Sequence, residues 1–358
     1  MIEASASGKL YLAGEYAVVE AGYPAVIAAV EQRLFVSLQQ AEKGTIHSTQ
    51  HPELEVSWSR REHQIYANSS NPYQLIISSM QVVEDYVRTF GVEVSTPYRV
   101  AVRSDLDDQE SGAKYGLGSS GAVTVAMVRA LLAYYQQEVE PMLVYRLAAI
   151  SQIKINLTGS FGDLAASSFG GVISYHSVDR IWLKSAIKRF SVRDVVEQDW
   201  NGLAIKLLEL PDGLELLVGW TGSAASTDRL VATMHRQLDQ KEKEVYHQQF
   251  LAENRLCMEK LIQACKENDA AAFEAAIAVN RQQLRDFSAN MGIVIETSQL
   301  TQLCQLAKEQ GAVAKSSGAG GGDCGICFVR SRDQKETICR AWEGAGIKPL
   351  PLSIACRE

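Results

Sequence analysis

Apolar positions in the first third of the chain follow two different periods. Residues 2 to 58 contain runs rich in Val, Ile, Leu, Tyr and Phe, broken by Gly, Pro and polar clusters, a pattern typical of strands. From Tyr73 to Phe90 the apolar side chains recur every three or four residues and Gly91 follows, which predicts an amphipathic helix. The segment TPYRVAVRS then predicts a strand. The chain therefore opens with a sheet that a helix interrupts.

The middle of the chain predicts buried helices. The segment GLGSSGAVTVAMVRALLAYY is apolar on nearly every face, which indicates a packed helix beginning near Ser119. A second helix is predicted from Pro141 to Asn156, because proline is favoured in a first helical turn. The segment GSFGDLAASSFGGVISYHS predicts a turn, a short helix and a strand. Two further strands, LAIKLLEL and LELLVGWT, are predicted on either side of a Pro-Asp-Gly turn.

The last third of the chain predicts helices followed by a second strand region. Residues 225 to 310 are predicted to be helical throughout, and GAVAKSSGAGGGDCGICFV predicts strand, glycine loop and strand. A helix over 333 to 344 and a strand in PLPLSIACR are predicted to end the chain. At roughly 150 residues per domain, 358 residues predict two domains, which we place at 1–215 and 216–358.

Composition and charge exclude several classes of protein. Hydrophobic residues make up 46% of the chain and charged residues 22%, as in globular proteins. A net charge of −7 provides no broad basic surface for nucleic acid or an acidic membrane, so we expect small-molecule partners. All seven cysteines lie between Cys257 and Cys356, an odd number that favours reduced thiols. Because neither a leader-like segment nor an apolar run of about 18 residues is present, we expect a cytoplasmic protein.

Four short segments combine glycine with charged or hydroxyl side chains. They are SGKLYLAGEYAVV (7–19), KYGLGSSGAV (114–123), GSFGDLAASSFGG (159–171) and KSSGAGGGDCGI (315–326). In the second segment, small residues precede the buried helix, whose free N–H groups and dipole favour an anion. A serine at that helix start either caps the helix or binds Mg²⁺. A serine-capped helix after a glycine turn gives the same pattern, so both interpretations stay open.

Lys9, Asp163 and the last glycine segment also have two interpretations each. Lys9 alternates with Leu10 and Leu12 along a strand, and is either solvated or a positive charge on transferring phosphoryl oxygens. Asp163 either caps the short helix that follows it or acts as a charge partner of Lys9. The run KSSGAGGG forms either a backbone nest for an anionic group or a tight β-turn.

Taken in this order, the four segments resemble the motifs of the GHMP family of small-molecule kinases. The resemblance spans the whole chain and implies an α+β fold of two domains with ATP and an acceptor in the cleft between them. The N-terminal domain would have a mixed sheet with helices and a left-handed βαβ unit, and the C-terminal domain would be a ferredoxin-like α/β sandwich. The implied activity is Mg²⁺-dependent phosphoryl transfer from ATP. The segments GEYAVVE, KYGLGSSG and GWTGSAAST resemble those of family members that phosphorylate 5-phosphomevalonate in the mevalonate pathway of isoprenoid biosynthesis. Another acceptor, such as mevalonate, and a non-catalytic sensor of ATP and a metabolite are the alternatives.

The resemblance also implies roles for individual residues. Lys9 and Asp163 fall on the catalytic pair, and Ser120 on the Mg²⁺-binding serine. The implied ATP phosphate loop consists of Lys114, Gly116, Leu117, Gly118, Ser119, Ser120 and Gly121. The implied acceptor pocket consists of Lys9, Tyr16, Ser160, Ser226, Thr227, Gly318, Ala319, Gly320 and Gly321. Gly121 departs from the family, where alanine is common.

No carboxylate ligand for Mg²⁺ is assigned from the sequence. Asp105, Asp107, Asp108 and Glu110 lie near the second segment, but we interpret their loop as solvated. Oligomeric state is not predicted.

Overall fold

The strands that the structure describes form two separate sheets. The computed structural model describes residues 1–68, 70–108, 111–222 and 240–358. Within these ranges the first sheet has eight strands in the order β5-β4-β3-β6-β2-β7-β8, with β1 paired to β2. Their bounds are β1 (Ile2–Ala13), β2 (Pro24–Gln40), β3 (Gly44–Ser48), β4 (His51–Arg61), β5 (Gln64–Ala67), β6 (Tyr98–Ser104), β7 (Val172–His176) and β8 (Ala204–Leu208). The β3–β6 pair is parallel and the others are antiparallel.

The long strand β2 organises this sheet and fixes the position of Lys9. It pairs with β1, β6 and β7, and its first seven residues are all buried. Lys9 lies opposite Ala29 in this pairing, and the register shifts between Ser7 and Gly8, just before Lys9. Such an irregularity re-aims the side chains beside it, which is common next to active sites.

Six helices accompany the first sheet among the described residues. They are α1 (Gln74–Arg88), α2 (Ser119–Tyr134), α3 (Pro141–Lys154), α4 (Gly162–Phe169), α5 (Arg180–Arg189) and α6 (Val192–Glu197). The first four confirm the predicted helices, and α2 packs directly against β1 and β2. The sequence analysis missed α5 and α6, although Asp179 caps α5 and Ser191 begins a capping box at α6.

The second sheet has the order β10-β11-β9-β12 and is antiparallel. Chain order and sheet order together give the ferredoxin-like arrangement. Side chains on alternate faces of β9 pack against α7 and α8 on one side and against α9 and α10 on the other. The elements are β9 (Glu215–Trp220), α7 (Gln240–Glu267), α8 (Ala270–Met291), α9 (Ser298–Glu309), β10 (Val313–Ser316), β11 (Cys324–Val329), α10 (Arg332–Gly344) and β12 (Lys348–Leu350).

Two predicted elements in the last third of the chain were too long. Continuous helix over 225 to 310 is wrong, because helix breaks at 268–269 and again at 292–297, where Gly292 ends α8 with φ +70°. Residues 223–239 lie outside the described residues. The final strand is also shorter than predicted, since β12 ends at Leu350.

The last eight residues leave the second sheet and return to the first domain. The N–H of Ala355 donates to the carbonyl of Ala29 at 2.9 Å. The Glu358 carboxylate pairs with Arg33 at 2.6 Å and with the buried Arg129 at 3.1 Å. Sheet membership changes between β8 and β9, and our domain boundary near residue 215 stays a prediction. No helix in the described ranges is long and apolar enough to cross a membrane.

Candidate active site

The loop 116–121 ends in a helix N-terminus that no side chain caps. Gly118 occupies the N-cap position of α2 in the left-handed region, with φ +80° and ψ +44°, and α2 has no capping hydrogen bond from a side chain. The interpretation of this segment as a serine-capped helix is therefore wrong. The hydroxyl-bearing Ser120 is exposed in the first turn. Free N–H groups at the positive end of a 16-residue helix form a favourable environment for an anion.

The side chain of Lys9 runs alongside this loop. Its ammonium donates to the carbonyl of Gly116 at 3.2 Å, and its backbone N–H donates to the carbonyl of Leu117 at 2.8 Å. A methyl group at Gly118 would stand 3.0 Å from Lys9 Cε, closer than normal van der Waals contact. Glycine at 118 therefore provides the space in which the lysine side chain lies. Lys9 is not a freely solvated lysine.

Asp163 approaches the same loop from α4. It is the second residue of that helix, whose N-cap position is occupied by Phe161, so the interpretation of Asp163 as the cap is wrong. A methyl group at Gly121 would stand 2.6 Å from Asp163 Oδ2. The carboxylate therefore lies directly against the first turn of α2, in the space that the missing side chain of Gly121 leaves.

Asp323 is a third charged residue on the loop, and the sequence analysis missed it. A methyl group at Gly116 would stand 2.6 Å from Asp323 Oδ2. The Asp323 carbonyl accepts hydrogen bonds from the N–H and the hydroxyl of Thr221, both at 3.0 Å, which hold its backbone at φ +59°. The signal was present in KSSGAGGGDCGI, where an aspartate directly follows the glycines.

Burial and mutual attraction act in opposite directions on these charges. Burial lowers the pKa of the Lys9 ammonium, and Asp163 opposes this most strongly, followed by weaker effects that include Asp323 and Glu15. Burial raises the pKa of Asp163 and of Asp323, and the positive charge of Lys9 opposes both shifts. Lys9 is thus electrostatically coupled to two carboxylates that approach the loop from different segments.

Tyr16 and Ala319, both predicted in the acceptor pocket, are in direct contact. The Tyr16 hydroxyl donates to the carbonyl of Ala319 at 2.5 Å. Burial raises the pKa of Tyr16 to about 12, with a smaller contribution from Glu15, so the phenol keeps its proton at neutral pH. Tyr16 has φ +63°, a conformation uncommon for a bulky residue, and its ring packs on Phe287 at 5.1 Å between centroids.

Ser160 is held by two tyrosines, one of which contacts a third. Its hydroxyl and that of Tyr11 are 2.8 Å apart, and its carbonyl accepts from Tyr175, which is 2.9 Å from the hydroxyl of Tyr145. The backbone carbonyl of Tyr11 in turn accepts from the Ser317 hydroxyl at 3.0 Å. Tyr11 therefore links the turn before α4 to the last glycine segment.

A buried ion pair supports the glycine segment 318–321. Lys315 is fully buried, and its ammonium is 2.5 Å from Glu15 Oε1. The second oxygen of Glu15 is buried and has no hydrogen-bond partner among the residues that the structure describes. Lys315 is therefore engaged by protein and does not offer its charge to a ligand.

The nest interpretation of this segment needs a correction. The N–H of Gly318 donates to Glu15 Oε1 at 3.3 Å, and that of Gly321 donates to the carbonyl of Ile295 at 2.9 Å. A methyl group at Gly320 would stand 2.4 Å from the same carbonyl oxygen. Two of the N–H groups that a nest requires are thus already bonded to protein, and glycine at 320 allows backbone to pack on backbone.

Lys114 lies farther out, at the rim of a groove of about 270 Å³ that adjoins the loop. Lys114 itself is exposed. Ser119 and Ser120 form the end of this groove nearest the loop. Its apolar lining comes from Leu34, Ile76, Val102 and Val123, and its aromatic lining from His51 and Tyr73.

The acidic loop before α2 is not simply solvated. Asp108 is buried and accepts hydrogen bonds from Tyr115 at 2.9 Å and from Lys348 at 2.7 Å. Its loop is therefore tied to the second domain, and the solvated interpretation is wrong for this residue. Glu110, Ser226 and Thr227 lie outside the described residues. Across the part of the chain that the structure describes, no three His, Cys, Asp or Glu side chains converge as a metal site would require.

Family models match both halves of this fold and assign the chain to one class of kinases. The family model for the GHMP kinase N-terminal domain matches residues 75–171, and that for the GHMP kinase C-terminal domain matches residues 261–348. The chain belongs to the GHMP kinase family.

Individual relatives cover the whole chain. It is 35% identical to a phosphomevalonate kinase of Streptomyces sp. (strain CL190), over 98% of this chain and 96% of the relative. The Lin0012 protein of Listeria innocua has a TM-score of 0.89 and 33% identity, over 100% of this chain and 98% of that one. The Streptococcus pneumoniae phosphomevalonate kinase, solved with phosphomevalonate and AMPPNP, has a TM-score of 0.82 and 29% identity over the full length of both chains.

Proposed function

We propose that the protein transfers the γ-phosphoryl group of ATP to the phosphate of 5-phosphomevalonate, giving ADP and 5-diphosphomevalonate. One observation carries this proposal. Lys9, Asp163 and Asp323 come from three distant segments and lie against three glycines of one loop at an uncapped helix N-terminus. The names of the Streptomyces and S. pneumoniae relatives support the choice of acceptor. The reaction is a step of the mevalonate pathway, and the free cysteines favour a cytoplasmic setting.

The acceptor needs little chemical activation in this reaction. A phosphate monoester has a second pKa near about 6, so its attacking oxygen is already ionised at neutral pH. That oxygen forms a bond to the γ-phosphorus of ATP while the bond from the γ-phosphorus to the bridging oxygen of ADP breaks. Protein catalysis of such a transfer consists mainly of positioning and of stabilising negative charge. No strong general base is required.

Lys9 and Asp163 supply those two effects. The Lys9 ammonium lies beside the loop and stabilises negative charge on the transferring group, and the loop N–H groups hold the donor phosphates. The negative charge of Asp163 orients the Lys9 ammonium. Asp163 also orients the acceptor. Tyr16 and Ser160, each fixed by hydrogen bonds to protein, line the acceptor side.

The donor groups at the loop fit a magnesium ion. Mg²⁺ prefers hydroxyl, carboxylate and phosphate oxygens, and Ser120 presents an exposed hydroxyl at the helix start. When bound, the ion would neutralise charge on the β- and γ-phosphates, and Ser120 would hold it. The groove beside Lys114 reaches Ser120 and is lined in part by apolar and aromatic side chains, so we place the adenosine part of the nucleotide there.

The acceptor is tested by measuring ADP release with 5-phosphomevalonate, mevalonate, homoserine and galactose offered in turn. We expect release with 5-phosphomevalonate alone. Release with mevalonate instead would assign the enzyme to a different acceptor within the same family. Binding of ATP without release on any acceptor would contradict an enzymatic role and support a sensor.

The contact between Gly121 and Asp163 gives a second test of the site. Gly121→Ala would bring a methyl group within 2.6 Å of Asp163 Oδ2, so the carboxylate must shift from its position against the loop. Because a displacement of about 1 Å in a catalytic site costs up to roughly 100-fold in rate, we expect kcat to fall roughly 10- to 100-fold. The measurement is steady-state ADP release.

Gly344→Ala is the matched control for this substitution. Gly344 also lies in a helix, and a methyl group there has no neighbour within 4 Å. We expect unchanged kcat for this variant. Equal kcat for Gly121→Ala and the wild type would show that Asp163 tolerates displacement and would remove it from the positioning role.

A further inference from the structure

The carboxylate of Asp323 lies against the loop without a partner of its own. Its backbone is fixed by Thr221, but among the described residues no hydrogen-bond donor reaches either carboxylate oxygen. The residue is partly exposed and faces Gly116, whose carbonyl accepts the hydrogen bond from Lys9. An unpaired carboxylate at this position needs a cation or a proton to be compatible with bound phosphates.

The charges around Lys9 do not supply that cation. Lys9 and Lys315 are the positive groups, whereas Glu15, Asp163 and Asp323 are the negative groups that act on Lys9 or pair with Lys315. Counted by formal charge, these two lysines and three carboxylates have one excess negative charge, although both proposed substrates are anions. The charge of Lys315 is paired with Glu15, and the charge of Lys9 acts on both Asp163 and Asp323.

We propose that Asp323 is a ligand of the divalent cation that accompanies the nucleotide, directly or through one water molecule; this rests on the proposed function. Carboxylate oxygens are preferred ligands of Mg²⁺, which also keeps several waters and binds substrate phosphates. Asp323 lies at the Gly116 end of the loop and Ser120 at its helix end. Phosphates bound along the loop then lie between the Ser120 hydroxyl and the Asp323 carboxylate. A cation between Asp323 and the phosphates attracts both, whereas without it the carboxylate repels the phosphates.

Nucleotide binding with and without metal tests this assignment. Calorimetry would measure the affinity of the wild type and of Asp323→Asn for AMPPNP, once in Mg²⁺ and once in EDTA. We expect Asp323→Asn to weaken binding in Mg²⁺ roughly 10- to 100-fold. In EDTA we expect equal or tighter binding, because the variant no longer repels the free triphosphate. Asp323→Glu keeps the carboxylate and should retain a preference for Mg²⁺.

Asp105→Asn is the matched control, because Asp105 is an exposed carboxylate near the loop in sequence that pairs with Arg103. We expect this variant to bind AMPPNP as the wild type does. An unchanged ratio of affinities in Mg²⁺ and EDTA for Asp323→Asn would overturn the assignment. Failure of the wild type to bind AMPPNP in either condition would instead contradict the proposed function, so the two failures are distinguishable.

Discussion

Lys9→Met is expected to lower kcat for ADP formation from ATP and 5-phosphomevalonate by roughly 10²- to 10³-fold, the effect of removing one preorganised charge from a transition state. Lys9 is the cation that lies along the loop, and the space beside Gly118 fits its side chain. Methionine has a similar length, so the variant removes charge with little change in packing. Steady-state and single-turnover ADP release would measure the loss.

Lys206→Met is the control for the loss of a lysine in general. Lys206 is exposed on β8 of the same sheet, away from the loop. We expect wild-type kcat for that variant. A Lys9→Met enzyme with kcat within a few-fold of the wild type would show that Lys9 does not stabilise the transferring group.

The Lys9→Met variant also gives a pH effect of known sign. Burial raises the pKa of Asp163, and Lys9 opposes that rise. Removing Lys9 raises the pKa of Asp163 further, so Asp163 takes up a proton at a higher pH. When the residual kcat of Lys9→Met is plotted against pH, the acid limb of the profile should therefore lie at higher pH than in the wild type. A limb that stays in place would show that ionised Asp163 is not needed for the residual activity.

Lys315→Met is expected to lower the free energy of unfolding by about 3–5 kcal/mol, the usual effect of breaking a buried ion pair from one side. Both side chains are almost fully buried, and the substitution leaves Glu15 without a compensating charge. Within the described part of the chain, the first oxygen of Glu15 would keep only the weak contact from Gly318, and its second oxygen already lacks a partner. Urea denaturation of the two proteins would measure the difference.

The double variant Glu15→Gln with Lys315→Met separates loss of charge balance from loss of packing. We expect it to be more stable than Lys315→Met alone, because no uncompensated charge remains. A double variant that is less stable than Lys315→Met would contradict this explanation. The ion pair also supports the segment that contains Ala319, so we expect a raised KM for 5-phosphomevalonate in Lys315→Met.

The parts of the fold that follow from local patterns could be predicted from the sequence. The apolar period from Tyr73 onward gives α1, and the apolar run after Ser119 gives α2. The helices α5 and α6 were missed because ten and six residues are too short to establish a helical period, yet their capping residues Asp179 and Ser191 were readable.

The site was predictable only in outline. Gly116, Gly118 and Gly121 could be assigned to an anion-binding loop, but not to the particular side chains that fill their empty spaces. The contact between Gly116 and Asp323 joins segments more than 200 residues apart, and no local period encodes it.

Lys315 illustrates the same limit. Because lysine side chains are almost always exposed, the sequence alone does not predict that Lys315 is fully buried. Its burial depends on Glu15, which lies 300 positions earlier in the chain. Residue types in the motifs therefore indicated the chemistry, whereas only the tertiary structure distinguishes a charge offered to a ligand from one engaged by protein.

The return of residues 351–358 to the first sheet has a mechanical consequence. The chain crosses between the domains twice, once between β8 and β9 and once after β12, and the second crossing is fastened by Ala355 and Glu358. These eight residues therefore act as a second covalent tether between the domains, which the ion pairs Lys315–Glu15 and Lys348–Asp108 also join. A chain cut after Leu350 would lose this tether, together with the hydrogen bond to Ala29 and both ion pairs of Glu358.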